Sequence, residues 1–256
     1  MADAADGGTP TLERGPGGVA TLRLNRPQHL NRLHRADLQA LQAHCAALRH
    51  DESVRVLVLT GSGRAFCAGF HLGELDGADD PRLFEHVVDA VEALPMPTIA
   101  RLNGGVYGGA TDLALACDFR IGCTGMELRM PAARLGLHYY PSGLQRYVSR
   151  LGLPAAKRLF LLAERVDAAE LLRIGYLDAL VAPDALDGAV AGMVAALQAG
   201  APLALRGMKL SLNEIARGEF ELGHLREREA LCAASDDLRE GVAAFAEKRV
   251  PRFQGR

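Results

Sequence analysis

The stretch Gly61-Ser-Gly-Arg-Ala-Phe-Cys-Ala-Gly-Phe-His-Leu-Gly-Glu-Leu75 follows Val54-Arg-Val-Leu-Val-Leu-Thr60, a nearly continuous apolar run. Such a run marks a strand buried on both faces. A partner stretch, Asn103-Gly-Gly-Val-Tyr-Gly-Gly-Ala-Thr-Asp112, follows a second strand candidate, Pro97-Thr-Ile-Ala-Arg-Leu-Asn103. Each reads as a glycine-rich turn from strand to helix, where backbone N–H groups are left without intrahelical partners. In the first, the glycine before Phe70 permits a tight turn that aims the Phe70 N–H into a pocket; in the second, the N–H of Gly109 is an orphan donor where a helix begins. Two such donors meeting at one point would stabilise an enolate or tetrahedral oxyanion, each typically by about 2.7–4 kcal/mol. Taken singly, either stretch reads as a plain structural turn.

Around these turns the pattern alternates. Val19-Ala-Thr-Leu-Arg-Leu-Asn25 has strand periodicity, and Arg26-Pro-Gln-His-Leu-Asn31 breaks it. Apolar Leu38, Leu41, Ala46 and Leu48 predict one face of a helix over 35–49. Strand, helix and strand in that order favour a parallel sheet with a right-handed crossover. Further helices are expected over 81–94 and 112–117, a strand at 119–122, and a turn, His138-Tyr-Tyr-Pro-Ser-Gly143, that opens a helix carrying Leu144, Tyr147 and Val148. Short helices over 154–163 and 167–174, a strand at 179–182 and an alanine-rich helix over 183–199 follow. Beyond Pro202 everything reads as helix, over 203–216, 222–234 and 238–249. The fold class is therefore α/β, with a disordered tail over 1–11, an α/β core over 12–200 and a helical subdomain over 201–256.

Composition sets the outer limits. The 256 residues carry a formal net charge of −2 with no clustering of basic residues, which gives no electrostatic case for nucleic acid. No apolar run is long enough for a membrane helix, and the acidic N-terminus does not read as a secretory signal. Five scattered cysteines without a CxxC pair, and eight histidines without ligand spacing, lead us to expect a reducing, cytoplasmic compartment and no metal site. The dinucleotide fingerprint lacks its third glycine after Gly61-Ser-Gly63, and no GxSxG nucleophile elbow occurs. Ser142 reads as turn chemistry, Cys67 as packing and His138 as an exposed side chain.

Four segments then occur in order: AFCAGFHL from Ala65, NGGVYGGATDLALACDFRI from Asn103, PAARLGLHYYPSGLQRYVSRLG from Pro131, and SDDLREGVAAFAEKRVPRF from Ser235. Together they resemble the enoyl-CoA hydratase/isomerase (crotonase) superfamily over nearly the whole chain. The resemblance implies a crotonase-like spiral of repeated ββα units, a C-terminal helical subdomain and a homo-oligomer, either a trimer or a dimer of trimers. It also implies an acyl-CoA or enoyl-CoA substrate without a bound prosthetic group. By the same matching, Phe70 and Gly109 supply the oxyanion-hole N–H groups. Arg26 and Gln28, then Arg64 and Ala65 with Ala68, match segments that line the CoA nucleotide and pyrophosphate. Phe245 and Lys248 match C-terminal residues that reach adenine and phosphate, in the same or a neighbouring subunit.

The departures bear on the reaction. Hydratases of this kind place two glutamates around a water; at those positions this chain has Asp112, one methylene shorter, and Ala132. Hydration needs a base for water and an acid for the α-carbon. Asp112 is the expected acid/base, while Tyr139, Tyr140 and His71 (which stands where an aspartate is usual) are further candidates. Hydration or double-bond isomerisation is the leading expectation. Decarboxylation or C–C cleavage on the same fold, or a non-catalytic CoA-binding homologue, are the alternatives.

Overall fold

A computed structural model describes residues 7–74 and 80–256. In chain order the strands are β1 (Thr11–Arg14), β2 (Val19–Leu24), β3 (Val56–Gly61), β4 (Ala65–Cys67), β5 (Thr98–Leu102), β6 (Gly105–Tyr107), β7 (Phe119–Cys123), β8 (Glu127–Arg129), β9 (Arg165–Asp167) and β10 (Ala179–Val181). The helices are α1 (Arg35–Arg49), α2 (Leu83–Glu92), α3 (Ala110–Leu115), α4 (Pro141–Lys157), α5 (Ala168–Arg173), α6 (Leu186–Gln198), α7 (Pro202–Arg217), α8 (Leu222–Ala233) and α9 (Asp236–Glu247).

The strands form two sheets, a six-stranded one in the order β1-β2-β3-β5-β7-β10 and a four-stranded one in the order β4-β6-β8-β9. From β3 to β8 successive strands therefore alternate between the sheets, so each ββα turn there adds one strand to both, and the chain advances as a spiral. All pairs inside the large sheet are parallel except β1 with β2, which is antiparallel; β2 and β3 align Val19 with Val56 across the α1 crossover. β3 is buried along its whole length, as its unbroken apolar run requires.

Three expectations change. Each glycine-rich stretch holds a three-residue strand of the small sheet, β4 or β6, before its turn; such strands are too short to leave a periodicity. On α1 the buried face is Leu38, Leu41, Cys45 and Leu48, and Ala46 is exposed, because a step of three or four residues from Leu41 and Leu48 lands on Cys45. Of the expected tail over 1–11, residues 1–6 lie outside the described residues, as does Leu75 of the first glycine stretch; within the rest, Gly8 donates to the Asn25 carbonyl and Thr11 opens β1. Short, polar β1 has too little apolar pattern to be read without its partner.

The helices beyond Pro202 are as expected. α7 is moored to the core by Lys209, whose Nζ lies 2.8 Å from Asp118 Oδ2, and by Arg217 beside Glu92. Met208, Leu212, Leu231, Val242 and Phe245 on α7–α9 stay exposed in the single chain.

Candidate functional site

The two glycine stretches meet. Gly69 has φ +89°, a left-handed conformation that favours glycine, and a Cβ there would lie 2.7 Å from the Tyr107 carbonyl oxygen and 3.4 Å from the Gly109 nitrogen. The turn after β4 is thus pressed against the turn after β6, which brings Phe70 and Gly109 to one place. Pairing of Leu33 with Phe70 fixes the first turn from outside: the Leu33 N–H donates to Gly69 O and the His71 N–H to Leu33 O, both at 2.8 Å. Buried Asn31 braces the same turn, its Nδ2 lying 2.8–3.1 Å from the carbonyls of Ser62, Ala65 and Phe66. Neither the Phe70 nor the Gly109 N–H donates to another group among the described residues. Both residues line the same cavity, of about 350 Å³.

The cavity wall is mostly apolar. Phe70 and Phe84 stand 6.1 Å apart, Phe84 and Tyr140 also 6.1 Å, and Tyr140 stacks on Tyr139 at 4.2 Å. Met130, Leu135 and Leu137 complete that side, and Ala132, 4% exposed, sits in the wall without a polar group to offer. Of the helix expected over 81–94, the first turn of α2 contributes Leu83, Phe84 and Glu85. Glu85 is a carboxylate in the cavity that the sequence did not single out; Ser142 Oγ donates to its Oε1 at 3.3 Å.

Asp112 is fully buried and is not part of the cavity lining. It reaches the cavity only through Tyr140, whose hydroxyl donates to Asp112 Oδ2 at 2.6 Å and accepts from Tyr139 at 3.1 Å. Behind it, Arg146 donates to the same Oδ2 at 2.7 Å, to Glu92 at 2.9 Å and to Asp89 at 2.7 Å. Asp112 Oδ1 has no partner among the described residues. Burial pushes the Asp112 carboxyl above its ordinary range, against the opposing pull of Arg146 and Tyr140. Burial also pushes Glu92 up, but Arg146, Arg150 and Arg217 outweigh it and leave that carboxyl low. The Tyr139 and Tyr140 phenols are driven well above their usual value, first by burial and then by the nearby Asp112 charge, so both stay protonated at neutral pH. The result is a directed chain, Tyr139 to Tyr140 to Asp112, anchored by Arg146.

The remaining candidates divide. Ala68 lines the cavity; Arg26, Gln28, Arg64 and Ala65 do not. The segments carrying them do adjoin, since the Ser62 N–H donates to Leu24 O at 2.9 Å. The Arg26 guanidinium is engaged with buried Asp37 at 2.8 Å, while Gln28 and Arg64 are exposed. Phe245, 88% exposed, and Lys248 lie on α9 and just after it, outside the cavity lining. His71 turns from the cavity toward His34 and Glu74. Arg146 and Glu85 were missed because nothing in their local sequence separates a buried or pocket-facing charge from a solvated one on an amphipathic helix.

A pair of free amides on an apolar cavity can receive an oxygen that gains negative charge, with a neutral phenol beside it able to give a proton. Comparison with known proteins adds a second line. The profile of the family described as enoyl-CoA hydratase/isomerase matches residues 14–256. The chain is 32% identical to a crotonyl-CoA hydratase of Syntrophomonas wolfei over 92% of its own length and 94% of the relative's. It is 30% identical to the 2,3-dehydroadipyl-CoA hydratase of Escherichia coli, covering 93% and 96% respectively. Among solved structures, an enoyl-CoA hydratase of Mycobacterium smegmatis superposes with a TM-score of 0.87 at 30% identity, over 96% of this chain and 99% of that one.

Proposed function

Since the chain belongs to the enoyl-CoA hydratase/isomerase family, we propose that it binds an acyl-CoA thioester whose carbonyl oxygen accepts hydrogen bonds from the Phe70 and Gly109 N–H groups. The observation that carries this reading is the pair of unpartnered amides on one apolar cavity. Charge moves onto that oxygen as the thioester enolate forms, so donors already in position favour the enolate over the resting ester. The favoured reaction is hydration or double-bond isomerisation of an enoyl-CoA. In hydration, Glu85 takes a proton from water as its oxygen adds to the β-carbon. The Tyr140 hydroxyl, turned from Asp112 Oδ2 to the cavity, then gives its proton to the α-carbon of the enolate, and the proton held by Glu85 returns through solvent to the Tyr140 phenolate, which restores both groups. Asp112 and Arg146 act behind Tyr140 as positioning residues, fixing its ring in the cavity wall through the Tyr140–Asp112 hydrogen bond. Exposed apolar side chains along α7–α9 support a homo-oligomer, as a trimer or a dimer of trimers.

Crotonyl-CoA hydration tests the reading: wild type should turn over, and Tyr140→Phe should lower kcat about a hundredfold with KM nearly unchanged. Absence of hydration by the wild type would overturn the hydratase reading. One observation favours a second reading: Ala132 brings no carboxylate to the wall, and the neutral Tyr139–Tyr140 pair can serve as the acid, so the site also suits decarboxylation or C–C cleavage. Those reactions generate the enolate by bond breaking and need only the acid.

A further inference from the structure

The parallel bridge between Leu33 and Phe70 sets the next residue of each segment side by side. Those residues are His34 and His71, whose rings lie 4.8 Å apart. Glu74, in the turn that follows, closes the group: its Oε1 is 2.6 Å from His34 Nδ1 and 3.6 Å from His71 Nδ1. The three donor atoms lie within 4.8 Å of one another. His71 Nδ1 is buried and lacks a hydrogen-bond partner among the described residues. Two imidazoles thus address one carboxylate oxygen, and only one of them is satisfied by it. We infer that His34, His71 and Glu74 form a site for a divalent transition-metal cation of the zinc class, at the rim of the cavity where Glu74 contributes to the lining.

The donor chemistry suits such an ion. Two imidazole nitrogens and one carboxylate oxygen favour zinc, nickel or cobalt over magnesium or calcium, which prefer all-oxygen shells. Zinc holds nitrogen and oxygen at about 2.0–2.2 Å in a tetrahedron, which puts neighbouring donors roughly 3.4 Å apart. The His34–Glu74 contact must open and the widest spacing must close, both within reach of side chains that are 26–33% exposed. The other Glu74 oxygen is already anchored, accepting from the Arg35 N–H at 2.8 Å, which leaves Oε1 directed at the histidines. That N–H, and then His34, hold the Glu74 carboxyl below its ordinary range, so it is ionised at neutral pH. Three protein ligands leave a fourth position open. An ion there would tie the start of α1 to the turn that presents Phe70, stiffening the rim. The sequence hides this cluster because His34 joins the locally spaced His71 and Glu74 only through the Leu33–Phe70 bridge.

The test is zinc titration by calorimetry, with cobalt(II) absorption as a second readout, on the full chain carrying Cys232→Ser to remove the half-exposed thiol. One ion per chain is expected to bind saturably, raising the melting temperature. His34→Ala, His71→Ala and Glu74→Gln should each weaken binding at least tenfold, with circular dichroism unchanged. His86→Ala, which removes the histidine paired with Asp80, should leave affinity unaltered. Absence of saturable binding at 100 µM zinc, or binding indifferent to both His34→Ala and His71→Ala, would overturn the assignment.

Discussion

Replacing Gly109 by proline, in a chain whose Phe84 has first been cut to alanine, is expected to lower kcat for an enoyl-CoA by about 10²–10³-fold against the Phe84→Ala chain. Proline deletes the N–H. Gly109 has φ −58° and ψ −24°, within reach of the proline ring, and the preceding Gly108, at φ +55°, must move toward extended backbone, a shift that glycine makes at the least steric cost. The obstacle is steric: a Cβ on Gly109 would come 2.5 Å from Phe84 Cζ, which is why the ring is removed first. The remote CoA moiety keeps its contacts, so KM should move far less than kcat, the signature of an interaction made chiefly in the transition state. Equal losses in kcat and in affinity for a saturated acyl-CoA would instead point to a collapsed cavity.

The second large effect concerns stability. Arg146→Met is expected to destabilise the chain by about 3–5 kcal/mol in urea unfolding, because it strands a buried charge. Arg146 has a side chain 1% exposed, and it is the cation bonded to Asp112, itself fully buried with one oxygen already unpartnered. Glu92 keeps Arg150 and Arg217 after the substitution, so the deficit falls mainly on Asp112. Adding Asp112→Asn should recover most of it. The pH dependence follows in sign. Loss of the cation raises an Asp112 carboxyl that burial already holds above its unfolded value. On acidification the native state therefore takes up a proton that the unfolded chain does not yet bind, and native stability is gained as pH falls through the folded pKa. The deficit against wild type should accordingly be smaller at pH 5 than at pH 8. A deficit that is unchanged between those values would place the stranded charge elsewhere.

How far the sequence could be read depends on the scale of each feature. The β2–α1–β3 unit, the helices after Pro202 and the parallel large sheet follow from runs long enough to show a period. The small sheet does not: β4, β6, β8 and β9 have three residues each, fewer than two cycles of strand alternation, and only the family resemblance implied their ββα repeat. At the site, Phe70 and Gly109 were legible because free amides belong to the backbone and glycine marks where the chain turns. The setting of Asp112 was not. Its partners Tyr140 and Arg146 lie 28 and 34 residues away on α4 or at its edge, and their approach depends on how α4 packs against α3. A carboxylate in the first turn of a short helix reads alike whether it faces a cavity, solvent or a buried guanidinium. The His34–His71–Glu74 group is hidden for the same reason, since a β-bridge brings His34 to the local pair His71 and Glu74.

The central claim, that the Phe70 and Gly109 amides stabilise a thioester enolate, is tested most directly with acetoacetyl-CoA. This ester ionises readily to an enolate that has its own near-ultraviolet absorption band. Titrated into the protein at pH 7, it is expected to give that band with saturation at one ligand per chain, and to give much less of it when Gly109→Pro is combined with Phe84→Ala. Saturable binding of acetoacetyl-CoA with the spectrum of the neutral ketone would contradict the account.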